Sequence, residues 1–333
     1  MKMSKWVMML GVVAAALIGI SLMKDGGDGA RPEKTRVRIG DLPVSVSLPL
    51  YVALEKGYFE DEGLEAERVK FEAPNQIVDA LMAGTVDLTS PGGAMGIMGV
   101  ANFKNPGKIK IYAASGGTVE TPFDSILVKT GSPIATVPDL KGKRLGILPG
   151  IQWRTIARHI LAQSGLLAEK DVTIVELSPA LQAQALASGD VDALLGVEPI
   201  PTIVKAKKIG KEIVHGAAER AIVEPFYPGA GGVNLAFAKE NPETMRKVMA
   251  VFERAIKDIE ANPLAAQRYL AGYTALDASL AAQTPVPIFK MAKDFDGADI
   301  AAIQKFYDIF GTYKVIDGAM DARDILYHAP GIR

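Results

Sequence analysis

The densest recognition chemistry in the sequence sits in one short stretch, Pro149-Gly150-Ile151-Gln152-Trp153-Arg154-Thr155. A glycine turn here follows an apolar strand and opens a helix that carries His159 and Leu161. Free backbone N–H groups and the helix dipole at such a start attract an anion. An indole beside a guanidinium can grip a flat or aromatic acid, Trp153 packing on its body and Arg154 pairing its carboxylate with two parallel bonds. Both side chains also have an architectural reading. Trp153 can plug the surface, and Arg154 can pair with Glu198 or Asp192.

Other turns carry donors without charge. Ser90-Pro91-Gly92-Gly93 and Ser115-Gly116-Gly117 each follow a strand, and Ser90, Gly92 and Ser115 are placed to hydrogen-bond a ligand from the opposite side. Leu42, Val44 and Ser45 lie in a loop that ends the first strand. Glu198-Pro199 either meets a ligand or simply holds Arg154, and Tyr227, in Phe226-Tyr227-Pro228-Gly229, belongs to a hinge or to a cleft wall. Much chemistry is excluded. The chain has no cysteine, which removes disulfides, thiolate metal sites and cysteine nucleophiles. His159, His215 and His328 are scattered without metal-ligand spacing, so the expectation is no metal, no cofactor and no catalytic residue. Gly92-Gly93 is not a dinucleotide fingerprint. A net charge of −1, with no basic run beyond Lys205-Ala206-Lys207-Lys208, argues against nucleic acid as a partner.

The elements that position these turns come in two copies. Ala80-Leu81-Met82-Ala83-Gly84-Thr85-Val86-Asp87 recurs as Ala185-Leu186-Ala187-Ser188-Gly189-Asp190-Val191-Asp192. Upstream of each copy stands a helix ending in Gly-Leu (Gly63-Leu64; Gly165-Leu166) and then an apolar strand, and downstream each Val-Asp enters a strand and a turn. Two strand-helix-strand-helix-strand units imply two similar α/β lobes. Ligands bind beyond the carboxyl ends of strands in open α/β sheets, so facing lobes make a hinged cleft.

The first lobe starts with the alternating strand Thr35 to Gly40, and Pro49 opens its first helix. Ser125 to Lys129 and Val233 to Ala238 read as the segments crossing between lobes. After the second, apolar residues recur at helical spacing, as in Met245, Val248, Met249, Phe252, Ile256 and Ile259. These helices have no counterpart in the first half and return to the first lobe. The expected division is residues 1–34 as signal or anchor with tether, 35–124 plus 239–333 as lobe I, and 125–238 as lobe II with hinge strands. At the N-terminus, Lys2 and Lys5 precede an apolar run from Trp6 to Leu22, an export signal. As a helix the run spans roughly 25 Å, a little short of the ~30 Å hydrocarbon core, so cleavage near Ser21 and retention as a membrane anchor both stay open. Either way, the rest is delivered to the periplasm or the outer face of the cytoplasmic membrane.

The order Leu48-Pro49-Leu50-Tyr51-Val52-Ala53-Leu54-Glu55-Lys56-Gly57-Tyr58-Phe59, Gly63-Leu64, the Ala-Leu-x-x-Gly-x-Val-Asp copy and Pro138-Asp139-Leu140-Lys141-Gly142-Lys143 resembles the solute-binding proteins of ABC importers. The nitrate, sulfonate and taurine type is the nearest group, and it is similar to thiamine-precursor binding proteins. The resemblance runs from Arg36 to about Tyr327. It implies an α/β, two-lobed periplasmic-binding-protein fold, type II-like, with the ligand cleft between the lobes. It implies a binding protein rather than an enzyme, delivering a small organic anion to an ABC permease and its ATPase. It also implies that the cleft is built from Leu42 to Ser45, Ser90 to Gly93, Ser115 to Gly117, Pro149 to Thr155 and Glu198-Pro199. Many relatives carry a Gly-Ser-Thr-like turn where this chain has Gln152-Trp153-Arg154, which points away from nitrate and simple sulfonates. Two alternatives stand beside this reading. One is a ligand-sensing module of a membrane receptor; the other is a pyrimidine-synthesising enzyme of the same fold, which relies on a cysteine-rich segment that this chain lacks.

Overall fold

The computed structural model describes residues 34–328. The apolar run from Trp6 to Leu22, with its choice between cleavage and anchoring, lies outside the described residues. Within them the chain builds two sheets. The first contains β1 (Thr35–Asp41), β2 (Leu64–Lys70), β3 (Leu88–Thr89), β4 (Gly93–Ala94) and β5 (Ile109–Gly117). The second contains β6 (Asp124–Lys129), β7 (Arg144–Ile147), β8 (Thr173–Glu176), β9 (Ala193–Val197) and β10 (Gly210–His215), after which β11 (Phe226–Asn234) and β12 (Ile288–Met291) rejoin the first. The strand orders are β12-β5-β11-β3-β1-β2, with β4 also on β11, and β10-β6-β9-β7-β8.

The sequence repeat is a structural repeat. In each copy the third strand returns parallel beside the first, pairing Ile39 with Leu88 and Leu145 with Ala193. The Gly-x-Val-Asp motif has a specific job in both. The helices Pro74–Ala83 and Pro179–Ser188 end at Gly84 and Gly189, whose φ angles of 72° and 84° lie in the left-handed region that glycine adopts without strain. Three residues on, the aspartate clamps an arginine of the first strand. Arg38 N donates to Asp87 Oδ2 at 2.8 Å and Arg38 Nη2 to the Gly84 carbonyl at 2.9 Å. Arg144 N donates to Asp192 Oδ2 at 2.8 Å and Arg144 Nη2 to the Gly189 carbonyl at 2.7 Å.

The chain passes between the sheets at 118–123 and again between His215 and β11. These positions correct the expected crossings. Ser125 to Lys129 belongs entirely to β6, a central strand flanked by β9 and β10. Val233 lies in β11, inside the first sheet, and Leu235–Glu240 is already a helix. Strands covered on both faces are apolar throughout, so composition does not say which sheet they join. The two crossings run side by side, Val119 N donating to Glu224 Oε1 at 2.8 Å. Beside them a buried acid pair ties the passage together. Asp124 Oδ1 accepts from Ala218 N at 3.1 Å, and Glu219 Oε1 from Phe123 N at 2.9 Å. Burial is the largest cause raising both carboxyls; the Asp124 charge raises Glu219 further, while a hydrogen bond from Glu219 partly offsets the rise at Asp124.

The helices after β11 complete the first lobe's core. Phe252 of the helix Pro242–Ala261 meets Phe59 and Tyr112 at ring distances of 5.9 and 5.5 Å. Tyr327 N donates to the Ile111 carbonyl at 2.8 Å, fastening the end of the described chain to β5.

Candidate functional site

Where the strand ends of the two sheets face each other, the lobes close on a small cavity of about 20 Å³. Leu42, Val44, Val46, Gly92, Gly93 and Ala94 line it from the first lobe, and Leu148, Gln152, Trp153 and Val197 from the second. Phe123, at the first crossing, and Pro228-Gly229, in β11, complete the wall. Among the described residues, no Lys, Arg, Asp, Glu or His lines this cavity. The site is a mostly apolar pocket with uncharged polar groups around it.

Gln152 and Trp153 reach the cavity because the helix Ile151–Gln163 starts at the carboxyl end of β7 and aims its first turn at the opposite lobe. Trp153 is 2% exposed, with its ring 6.3 Å from that of Phe123. Gln152 spans the cleft: Nε2 donates to the Pro228 carbonyl at 3.0 Å, and Oε1 accepts from Gly96 N at 2.7 Å. A second tie joins the lobes where Ser45 N donates to the Glu198 carbonyl at 3.1 Å, supported by Ser45 Oγ at 3.3 Å.

Arg154 departs from expectation. Consecutive helical residues point about 100° apart, so the residue after Trp153 faces away from the cavity. Its guanidinium pairs with Glu176 Oε1 at 2.8 Å and Glu169 Oε1 at 2.6 Å, not with Glu198 or Asp192. Arg154 braces the second lobe's own surface. Thr155 turns back on its helix, Oγ1 donating to the Ile151 carbonyl at 2.7 Å.

The first-lobe hydroxyls lie behind the cavity wall rather than in it. Ser90 Oγ sits 3.0 Å from Ser47 Oγ and accepts from Gly92 N at 3.2 Å. Ser115 Oγ donates to the Pro91 carbonyl at 2.6 Å. These bonds shape the Ser90–Gly93 turn, and glycine is required where the turn meets its neighbour: a Cβ on Gly92 would stand 2.4 Å from Ser47 Oγ. Gly116 packs against the Phe226 carbonyl of β11. Tyr227 donates to Asp299 Oδ1 at 2.8 Å and stacks on Phe295 at 6.4 Å, so it supports the wall that Pro228 presents.

Glu198 is 4% exposed, and its carboxylate accepts from Thr202 Oγ1 at 2.8 Å. Burial pushes its pKa up to about 7, against the Thr202 hydrogen bond that holds it down. The sequence reading missed Val46, Pro74, Ala94, Phe123, Leu148 and Val197, while Pro228 and Gly229 lie in the segment it read as hinge or cleft wall. Leu148 and Val197 were findable as the last apolar residues of strands that end at the cleft. Phe123 carried no such signal.

The profile described as NMT1/THI5 like matches residues 45–266, more than half of the chain. The chain belongs to the NMT1/THI5-like family. A Bacillus subtilis relative named for binding aliphatic sulfonates is 29% identical over 261 residues, covering 76% of this chain and 74% of that protein. The alkanesulfonate-binding protein SsuA of Xanthomonas axonopodis pv. citri, solved bound to MOPS, superimposes with a TM-score of 0.73. At 23% identity, covering 89% of this chain and 99% of that one, it establishes the shared periplasmic-binding-protein fold. Enzymes are among the proteins similar to this chain. A 4-amino-5-hydroxymethyl-2-methylpyrimidine phosphate synthase of Saccharomyces cerevisiae is 24% identical over 238 residues, covering 67% of this chain and 66% of that enzyme.

Proposed function

We propose that this protein is an extracytoplasmic solute-binding protein, not an enzyme, that closes its two lobes on a small organic acid and presents it to an ABC permease and ATPase. One observation carries the reading: an apolar cavity walled by both lobes at the carboxyl ends of their strands, with bonds from each lobe to the other. A sulfonate or comparable acid is the favoured class, because the Bacillus subtilis relative is named for binding aliphatic sulfonates, the Xanthomonas protein is an alkanesulfonate-binding protein, and among the described residues no carboxylate lines the cavity to repel an anion. Recognition then rests on backbone N–H groups and neutral side chains, which can hold an acid headgroup in a water-poor cleft. Arg154 has no part in it. The cysteine-free sequence speaks against the synthase alternative.

Since a space for one water holds no organic acid, uptake requires the lobes to part and close again. A thermal-shift screen over alkanesulfonates, including MOPS, and carboxylic acids and thiamine precursors tests the reading. A cognate ligand at 100 times its dissociation constant adds about 2.7 kcal/mol of stability, so the melting transition rises. If no acid in the panel shifts the transition while a neutral or cationic solute does, the anion assignment is wrong.

A further inference from the structure

We propose that Gln152 is an internal latch: its carboxamide holds the cleft shut in the position where a ligand must enter, and the ligand displaces it. This deepens the solute-binding reading and rests on it for the ligand's part. Three polar ties join the lobes among the described residues: Gln152 to Gly96 and Pro228, Ser45 to Glu198, and the 3.4 Å approach of Tyr313 Oη to His159 Nδ1. Of the side chains that make these ties, that of Gln152 alone belongs to a residue lining the cavity, and its acceptor Pro228 stands in the same wall. It is 2% exposed, yet both ends of its amide are satisfied, one by a donor and one by an acceptor of the opposite lobe.

That pairing makes the closure reversible. An amide that leaves water must recover both kinds of hydrogen bond, and Gln152 recovers them only when the lobes meet. Opening returns the same groups to water at modest cost, so the latch holds without locking. The Gly96 N–H is the group freed when Oε1 withdraws, and an acid oxygen can take its place with a stronger, charge-assisted bond. Gly96 is the second residue of the helix Met95–Lys104, whose start favours negative charge. The latch therefore selects for solutes that offer an acceptor to Gly96, since others would leave a buried donor without a partner.

Gln152→Met tests this without any ligand. The side chain keeps its length but leaves the Gly96 N–H and Pro228 C=O unpaired in a closed cleft, so the lobes part. Amide exchange at the peptide containing Gly96 should speed up roughly 10- to 30-fold, taking two hydrogen bonds of about 1 kcal/mol each. Solution scattering of the same protein should show a larger radius of gyration than the parent. Gln152→Asn, too short to span both partners, gives the same result if the methionine variant does not fold. Unchanged exchange and unchanged scattering overturn the latch. So does equal acceleration in Arg154→Ala, which lies on the same helix without touching the cleft. None of these outcomes depends on the thermal-shift screen, so the latch and the solute class fail separately.

Discussion

The two repeats agree where they build their lobes and differ at the turns that face the cleft. Arg38, Gly84 and Asp87 in the first lobe and Arg144, Gly189 and Asp192 in the second make the same clamp with the same atoms. Beyond the third strand the copies part. β3 runs into the Ser90–Gly93 turn, braced by Ser47 and Ser115, whereas β9 runs into Glu198, a buried carboxyl held by Thr202. The helix after the first strand differs as well: in the second lobe it spans the cleft through Gln152 and places Trp153 in the cavity wall. The repeated motif is therefore scaffold. In the function proposed, recognition lies in the turns that one copy has and the other lacks.

The largest test of that contrast is Glu198, the charge-bearing group that the second lobe buries where the first has a hydroxyl. Its pKa is raised from 4.5 to about 7, so folding favours the protonated form. The stability this contributes is complete below the unfolded value and is lost as the pH rises through about 7, a change on the order of 3 kcal/mol. Glu198→Gln should flatten this part of the pH profile, because the amide keeps an acceptor for Thr202 without ionising. The Asp124–Glu219 pair acts with the same sign in both proteins, so the difference between them isolates Glu198. Urea unfolding at about pH 5 and about pH 8 reads it, and parallel profiles for parent and variant would show that Glu198 ionises in the folded protein as it does in the unfolded one.

The clamps come next. Asp87 is 8% exposed and Asp192 31%, so the same deletion should cost more in the first lobe. Asp87→Ala is expected to lose about 2–3 kcal/mol and Asp192→Ala about 1 kcal/mol, because the first strands hydrogen bonds in a drier setting. Equal losses by denaturant titration would mean that burial does not distinguish the copies.

Arg154→Ala has the smallest expected effect. Its partly exposed pairs with Glu169 and Glu176 contribute within about 1 kcal/mol. Affinity for whichever acid the thermal screen identifies should match the parent by calorimetry. A lost affinity would return the guanidinium to the ligand and make the second lobe's charge part of the site.

Much of this architecture could be read from residue order. The Ala-Leu-x-x-Gly-x-Val-Asp repeat announced two units, since a left-handed glycine cap and a clamp aspartate need fixed spacing from the helix they end. Pro149 to Thr155 was recognisable as a cleft turn because a glycine between an apolar strand and an amphipathic helix marks a strand's carboxyl end. The direction of each side chain was not recognisable there. Gln152, Trp153 and Arg154 are neighbours in sequence, and which of them faces the cleft depends on how the helix is rotated on its sheet. The crossings were misplaced for a related reason: β6 and β11 have the apolar character of any central strand, and only pairing partners assign them to a lobe.

The sequence by itself determined the two α/β units, their caps and clamps, and the turns that meet at the cleft, because these follow from local spacing along one chain. Tertiary structure decided which residues face the cavity, that Arg154 is held by Glu169 and Glu176, and that Gln152 bridges to Gly96 and Pro228. Those contacts join residues far apart in the chain, through hydrogen bonds that become favourable only when docking excludes water from both partners.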